Sequence, residues 1–363
     1  MSAYNENEVF VKPPGIIVGS KLDQEITELL RKKLLAVKAG EKEIPQGESS
    51  RNRHHRHGHK PLAYVANFID NTVSVVEIRT GRKVIDIPVG GCPYGIDISP
   101  DHKYVYAANM NDATLSVIST RKNRVINTID LNKNPFSADS PIGVKVSPNG
   151  KFIYVAGFES NNLLVISAHL QQVVAEVPLP EGTAPYDLDI TADGRLAYVT
   201  LLYVGKVAAV DLNVNLPVKF IDVENWPIGI AIAKRKSLAM VANQESKNLS
   251  AINTVIAEAS PNTIAVNGPG DVVLSTRGNI AYVSNWDDSS IGIIDVFFHQ
   301  QIGNIPLADR PDRLALTADD KFLVVSNKLS NTVSIIDTRI REVTATATVG
   351  YHPAFIAILN KCH

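Results

Sequence analysis

The chain of 363 residues has only two cysteines, Cys92 and Cys362. That excludes a disulfide framework, and with no further Cys at metal-ligand spacing the pair is a weak zinc signal. Neither sign of charge dominates. The chain carries 36 Lys and Arg against 37 Asp and Glu, a formal net charge of −1. The basic excess of a nucleic-acid surface is missing, and no nucleic-acid partner is expected. No apolar run approaches the roughly 20 residues that span a bilayer. Met1–Val11 is polar and acidic, without the basic segment and apolar run of a secretory signal. A cytoplasmic location is therefore the expectation, with the cell surface or exterior as the alternative for a processed or non-classically exported chain. Linear catalytic signatures are absent too: no Ser nucleophile elbow, no phosphate-cradling glycine loop, no HExxH, no CxxCH.

What the chain does contain is a repeat. Prolines recur at Pro93, Pro141, Pro185, Pro227, Pro269, Pro311 and Pro353, in steps of 48, 44, 42, 42, 42 and 42 residues. A second marker keeps the same schedule: Tyr64-Val-Ala-Asn67, Tyr106-Ala-Ala-Asn109, Tyr154-Val-Ala-Gly157, Tyr198-Val-Thr-Leu201, Met240-Val-Ala-Asn243, Tyr282-Val-Ser-Asn285 and Val324-Val-Ser-Asn327. Each unit holds four short alternating strands in about 42 residues, the pattern of a propeller blade. The expected fold is all-β, a seven-bladed β-propeller of four-stranded blades over residues 61–363, behind an N-terminal extension over 1–60. The first Tyr-Val-Ala-Asn strand has no proline-led strand before it, and the last proline-led strand has nothing after it. Phe355–Leu359 is therefore expected to become the innermost strand of the first blade, leaving no open edge. In that arrangement Cys92 and Cys362 stand at opposite ends of adjacent strands, about 20–30 Å apart. That is too far for a disulfide.

These repeats resemble the YVTN family of β-propellers, named for the Tyr-Val-Thr-Asn strand, from about Lys60 onward. The resemblance implies the fold and a kinship with modules of cell-surface and envelope proteins.

In the extension, Leu22, Ile26, Leu29, Leu30, Leu34 and Val37 place an apolar stripe on an amphipathic helix over Ser20–Ala39, with Gly40 as its stop. Two readings stand: docking on the propeller or on another subunit, hence a route to oligomers, or recruitment of a partner. The linker that follows carries His54, His55, His57 and His59 among Arg51, Arg53 and Arg56. It reads as a divalent-metal binder or as a solvated basic arm.

Function is expected at one mouth of the central channel. The loops entering the inner strands and the turns after the Tyr-Val-Ala-Asn strands share that face. They supply Tyr94, Phe136, Tyr186, Trp226, Trp286, Asp287, Asp312, Arg313 and His352 as a binding face. The six residues added by the 48-residue step, within Leu131–Ser140, mark a binding side or a tolerated loop. Inner-strand positions hold Asp97, Lys145 and Asp189, and two residues earlier Asp187, Asp271 and Arg313. These read as inter-blade ion pairs beside a wet channel, or as an acid/base pair or cation site. The leading expectation is a non-enzymatic scaffold for a protein partner or surface, without a cofactor. The alternative is a lactonase- or lyase-like enzyme on a small polar molecule. There His352 is the general acid or base, Arg313 the oxyanion or carboxylate anchor, and Asp312 or Asp187 a metal ligand or orienting group at the channel mouth. Redox chemistry lacks any cofactor-ligand pattern.

Overall fold

The computed structural model describes residues 61–132, 139–307 and 309–360. The helix expected over 20–39, the four linker histidines, Phe136 and Cys362 lie outside the described residues.

Seven antiparallel sheets follow one another around an axis. Pro353–Leu359 pairs with Leu62–Asn67, in a register from Leu62–Leu359 to Asn67–Pro353, and so completes blade 1 from both ends of the ring. The other inner strands are Pro93–Ile98, Pro141–Val146, Pro185–Ile190, Pro227–Ile232, Pro269–Leu274 and Pro311–Leu316, in blades 2 to 7. A proline leads each of them, which suits an edge strand whose first residue need not donate to a ladder. Blade 5 departs from the pattern. Its outer strand is broken into Glu258–Ala259 and Ile264–Ala265, both paired with Asn248–Asn253. Pro261, which has no N–H, sits in the break. Among the described residues no helix is long and apolar enough to cross a membrane.

The recurring asparagine has a structural reason. Asn67, fully buried, donates to Thr72 Oγ1 (2.9 Å) and Ser74 Oγ (2.8 Å), pinning the next strand to its own. Asn109 does the same with Thr114 and Ser116, Asn243 with Asn248 and Ser250, and Asn327 with Thr332 and Ser334. In blades 3 and 4 the asparagine becomes Gly157 and Leu201, and the hydroxyl seven residues on becomes Leu164 and Ala208. Both members of the buried polar pair are replaced together, so no partner is stranded. The expected result for Asn109→Leu is a loss of about 1–3 kcal/mol, because Ser116 is left buried without its donor. Adding Ser116→Ala recreates the blade 4 pair and recovers most of it. A double-mutant cycle in urea reads the coupling, and strict additivity would refute it.

Neighbouring blades are stitched by the same repeat. The buried Tyr64 hydroxyl donates to Asn123 of blade 2 (2.9 Å), and Tyr198 donates to the Thr254 carbonyl of blade 5 (2.8 Å). Burial pushes both phenols up to about 12.

Candidate functional site

The inner strands surround the channel, and their exposure defines its open end. At the level just after each leading proline, Ile142, Tyr186, Ile228, Asp312 and Ala354 are buried, and Tyr94 is half-buried. Further along, Asp97, Lys145, Asp189, Val273 and Ala315 are half-exposed, while Ala231 and Ala357 stay buried. The channel is thus filled at the proline end and reached by solvent from the other.

Aromatic rings fill the closed end. The Tyr94 and Tyr186 hydroxyls meet at 2.7 Å, across the axis from blades 2 and 4. Tyr94 also packs edge-on against Phe68 and Phe355, and Tyr186 against Phe158. Trp226 and Trp286 flank this cluster. Three inner strands bear glycine where blade 7 bears Arg313: Gly95, Gly143 and Gly229. A Cβ on Gly95 would land on the carbonyl oxygen of Ile142, and one on Gly143 would lie 2.7 Å from that of Tyr186. These glycines let the strands close tightly around the axis.

Arg313 sits beneath the rings with none of its surface exposed. Its guanidinium carbon lies 4.1 Å from the Phe355 ring centroid, 5.3 Å from Tyr186 and 5.9 Å from Tyr94. Asp187 Oδ2 and Asp271 Oδ1 each stand 3.9 Å from its Nη1. That distance is beyond hydrogen-bond reach, and Nε, Nη1 and Nη2 make no hydrogen bond among the described residues. A buried guanidinium with open donors is costly unless something else accepts from it. Its backbone is fixed by Ser326 Oγ, which accepts from Arg313 N at 2.9 Å. Thr200 Oγ1 holds Asp187 N in the same way.

The two carboxylates are tuned. Burial raises Asp187 to about 6 and Asp271 to about 7, against the pull of the nearby Arg313 charge. Asp187 Oδ1 accepts from Leu188 N and Asp271 Oδ1 from Val272 N, both at 2.8 Å. Toward the open end Lys145 Nζ is 3.4 Å from Asp189 Oδ1. Burial alone would depress Lys145, but Asp189, Asp97 and Asp187 outweigh it and hold its ammonium well above the ordinary range. Three carboxylates also reach the next blade: Asp97 accepts from Val146 N, Asp189 from Ile232 N (both 2.8 Å) and Asp271 from Leu314 N (2.9 Å).

The structure therefore brings Tyr94, Tyr186, Asp187 and Arg313 into one cluster, with Asp312, next to Arg313 in sequence, buried beside it. Phe355 and Asp271 complete it. Asp271 was visible in the inner-strand pattern, but only folding shows it sharing Arg313 with Asp187. His352 stands in the loop entering blade 1, where its N–H donates to Asn331 and its carbonyl accepts from Phe68. Trp286 carries Arg310 over its ring at 4.0 Å, and Asp287 pairs with Lys247 at 2.6 Å on the surface. A separate cavity of about 300 Å³ opens among Phe68, Cys92, Met110, Asp112, Asp139 and Glu159, beside the long insertion. Burial, then the Asp112 charge, pushes the Cys92 thiol up, so it is no ready nucleophile there. Among the described residues no three His, Cys, Asp or Glu side chains are grouped to hold a metal.

Solved structures share this architecture. Hydrazine synthase of Kuenenia stuttgartiensis is similar at a TM-score of 0.64 and 19% identity, over 73% of this chain and 89% of that one. A functionally unknown protein from Desulfotomaculum acetoxidans superposes at 0.70 with 16% identity, covering 82% and 99%. A proposed 6-phosphogluconolactonase from Bacteroides fragilis does so at 0.70 and 16%, covering 85% and 100%. At these identities the likeness shows the fold alone. No curated protein matches the sequence. One family, described as the lactonase, 7-bladed beta-propeller, matches residues 31–172 and 167–350. This match overturns the expectation of a non-enzymatic scaffold. That expectation rested on missing linear motifs, and a cluster gathered from several blades leaves none to find. With most of its length matched, the chain belongs to the seven-bladed β-propeller lactonase family.

Proposed function

We propose that the protein hydrolyses a small polar lactone in its central channel, entered from the end lined by Asp97, Lys145 and Asp189. The observation that carries this reading is the fully buried Arg313, its guanidinium donors open, between two carboxylates raised toward neutrality. The lactonase family supplies the reaction class.

The chemistry follows from the geometry. Two carboxyls on either side of one cation lose their protons in two steps, so between those steps one is ionised and the other is not. With Asp187 as the ionised member, its carboxylate takes a proton from water as the water oxygen bonds to the lactone carbonyl carbon. Arg313 donates to the oxygen that gains negative charge, in a site where water does not compete for its N–H groups. The ring C–O bond then breaks, and protonated Asp271 delivers its proton to the departing alkoxide. A final exchange with solvent returns Asp187 to the carboxylate and Asp271 to the acid.

The pH dependence has a definite sign. Below about 6 the base is protonated, and above about 7 the acid is lost. kcat/KM is therefore expected to be bell-shaped with its maximum between those values. Asp271→Asn should lower kcat by about 10²-fold and flatten the alkaline limb. The check is a pH-stat assay over a panel of five- and six-membered lactones. Absence of ring opening across the panel, or a profile that Asp271→Asn leaves unmoved, overturns the assignment.

A further inference from the structure

The charges lining the channel bear on which lactone it accepts, an inference that rests on the lactonase reading above. The seven inner strands carry Asp97, Asp187, Asp189, Asp271 and Asp312, but only Lys145 and Arg313 as cations, a formal −3. Even with one proton shared between Asp187 and Asp271 the wall stays negative. Neither cation is in surplus. Lys145 is paired with Asp189 and faces Asp97 and Asp187, while Arg313 lies between Asp187 and Asp271. A phosphate monoester needs an arginine or lysine cluster, or a helix N-terminus. The one helix among the described residues is a single 3-10 turn, Leu202–Val204, outside the inner strands.

What the channel offers instead are acceptors and ring faces. Asp312 Oδ2 is buried and makes no hydrogen bond among the described residues. Asp187 Oδ2 stands 3.9 Å from Arg313 Nη1. Phe355, Tyr94 and Tyr186 turn ring faces toward the Arg313 guanidinium, and Tyr94 packs edge-on against the other two. Carboxylate oxygens accept from hydroxyl groups, and aromatic faces cover the C–H side of a saturated ring.

We propose that the channel takes an uncharged, hydroxyl-bearing lactone and discriminates against the phosphorylated form of the same ring. A dianion entering a desolvated site lined by excess negative charge meets repulsion that water screens poorly. The test uses the full chain with two probes, glucono-delta-lactone and its phosphate monoester on the terminal hydroxyl. The expected kcat/KM favours the uncharged ring by at least about 100-fold. Raising salt should speed only the phosphorylated probe. Asp97→Asn, which removes a charge but keeps an acceptor for Val146 N, should narrow the preference by about 5–10-fold. Equal turnover, or preference for the phosphate ester, overturns the charge selectivity and leaves the lactonase reading standing. If neither ring opens, the lactonase reading fails. Calorimetric titration with the same two rings then decides the selectivity on its own, and equal or tighter binding of the phosphate ester refutes it.

Discussion

Removing Pro353–His363 is expected to unfold the ring rather than trim it. The strand Pro353–Leu359 is the inner strand of blade 1, and its loss leaves the edge of Leu62–Asn67 unpaired. It also carries Ile356 and Ile358, buried in the core shared by blades 7 and 1, and Ala357, buried in that of blades 1 and 2. Each buried aliphatic side chain of that size contributes about 1.5–3 kcal/mol, and the backbone pairing adds to it. The total is comparable to the whole stability of a typical domain, about 5–15 kcal/mol. Phe355, which covers the Arg313 guanidinium, leaves as well. Circular dichroism and thermal melting of the truncated chain should show no cooperative transition near that of the full chain. Adding the peptide back in trans should restore it in part. A truncated chain that melts as the full one does would refute closure by this strand.

The second large effect is at Arg313. Arg313→Met keeps the volume but leaves Asp187 and Asp271 buried without their cation. The expected cost above pH 7 is about 3–5 kcal/mol, the penalty for breaking a buried charge set by removing one partner. Its pH dependence identifies the cause. Both carboxyls have folded-state values raised above the unfolded value, to about 6 and about 7. A raised value means that the folded state binds the extra proton. The stability these groups contribute is therefore fully present below the unfolded value near 4 and lost as pH rises through about 6 and 7. Without Arg313 both values climb further, so the variant should come close to the parent at pH 5 and fall well below it at pH 8. Urea unfolding at the two pH values reads the difference. An equal loss at both would mean that packing against Phe355, Tyr94 and Tyr186, and not charge, is what Arg313 supplies. Arg313→Lys should fail to restore hydrolysis, because a point ammonium does not reproduce the planar fork of donors.

The ring was legible because every blade repeats two markers, and closure followed from their phase. The Asn67 and Ser74 pair was hidden in the same rows. It shows only when the blades that lack the asparagine are seen to lack the hydroxyl as well. The site was half legible. Arg313, Asp187 and Asp271 occupy equivalent positions on three inner strands, so their proximity to the axis could be counted from the sequence. That Arg313 reaches across the channel to Tyr186 and Asp187 of blade 4 could not, since direction and reach depend on the three glycines that let the strands close in. Nor does the sequence show which end of the channel is open. That depends on how Tyr94 and Tyr186 pack, two residues that look equally suited to a binding face and to a plug.

The carboxylate staples Asp97, Asp189 and Asp271 join blade 2 to 3, 4 to 5 and 6 to 7, and none belongs to blade 1. On the ribosome the chain emerges from its N-terminus, so each staple finds its acceptor blade within the next 50 residues made. Blade 1 is the reverse. Its three outer strands are made before the other six blades and wait for Pro353–Leu359, which follows all of them in the chain. The couples thus meet in order of birth, while the eldest blade keeps an open edge until the strand that follows blade 7 is made.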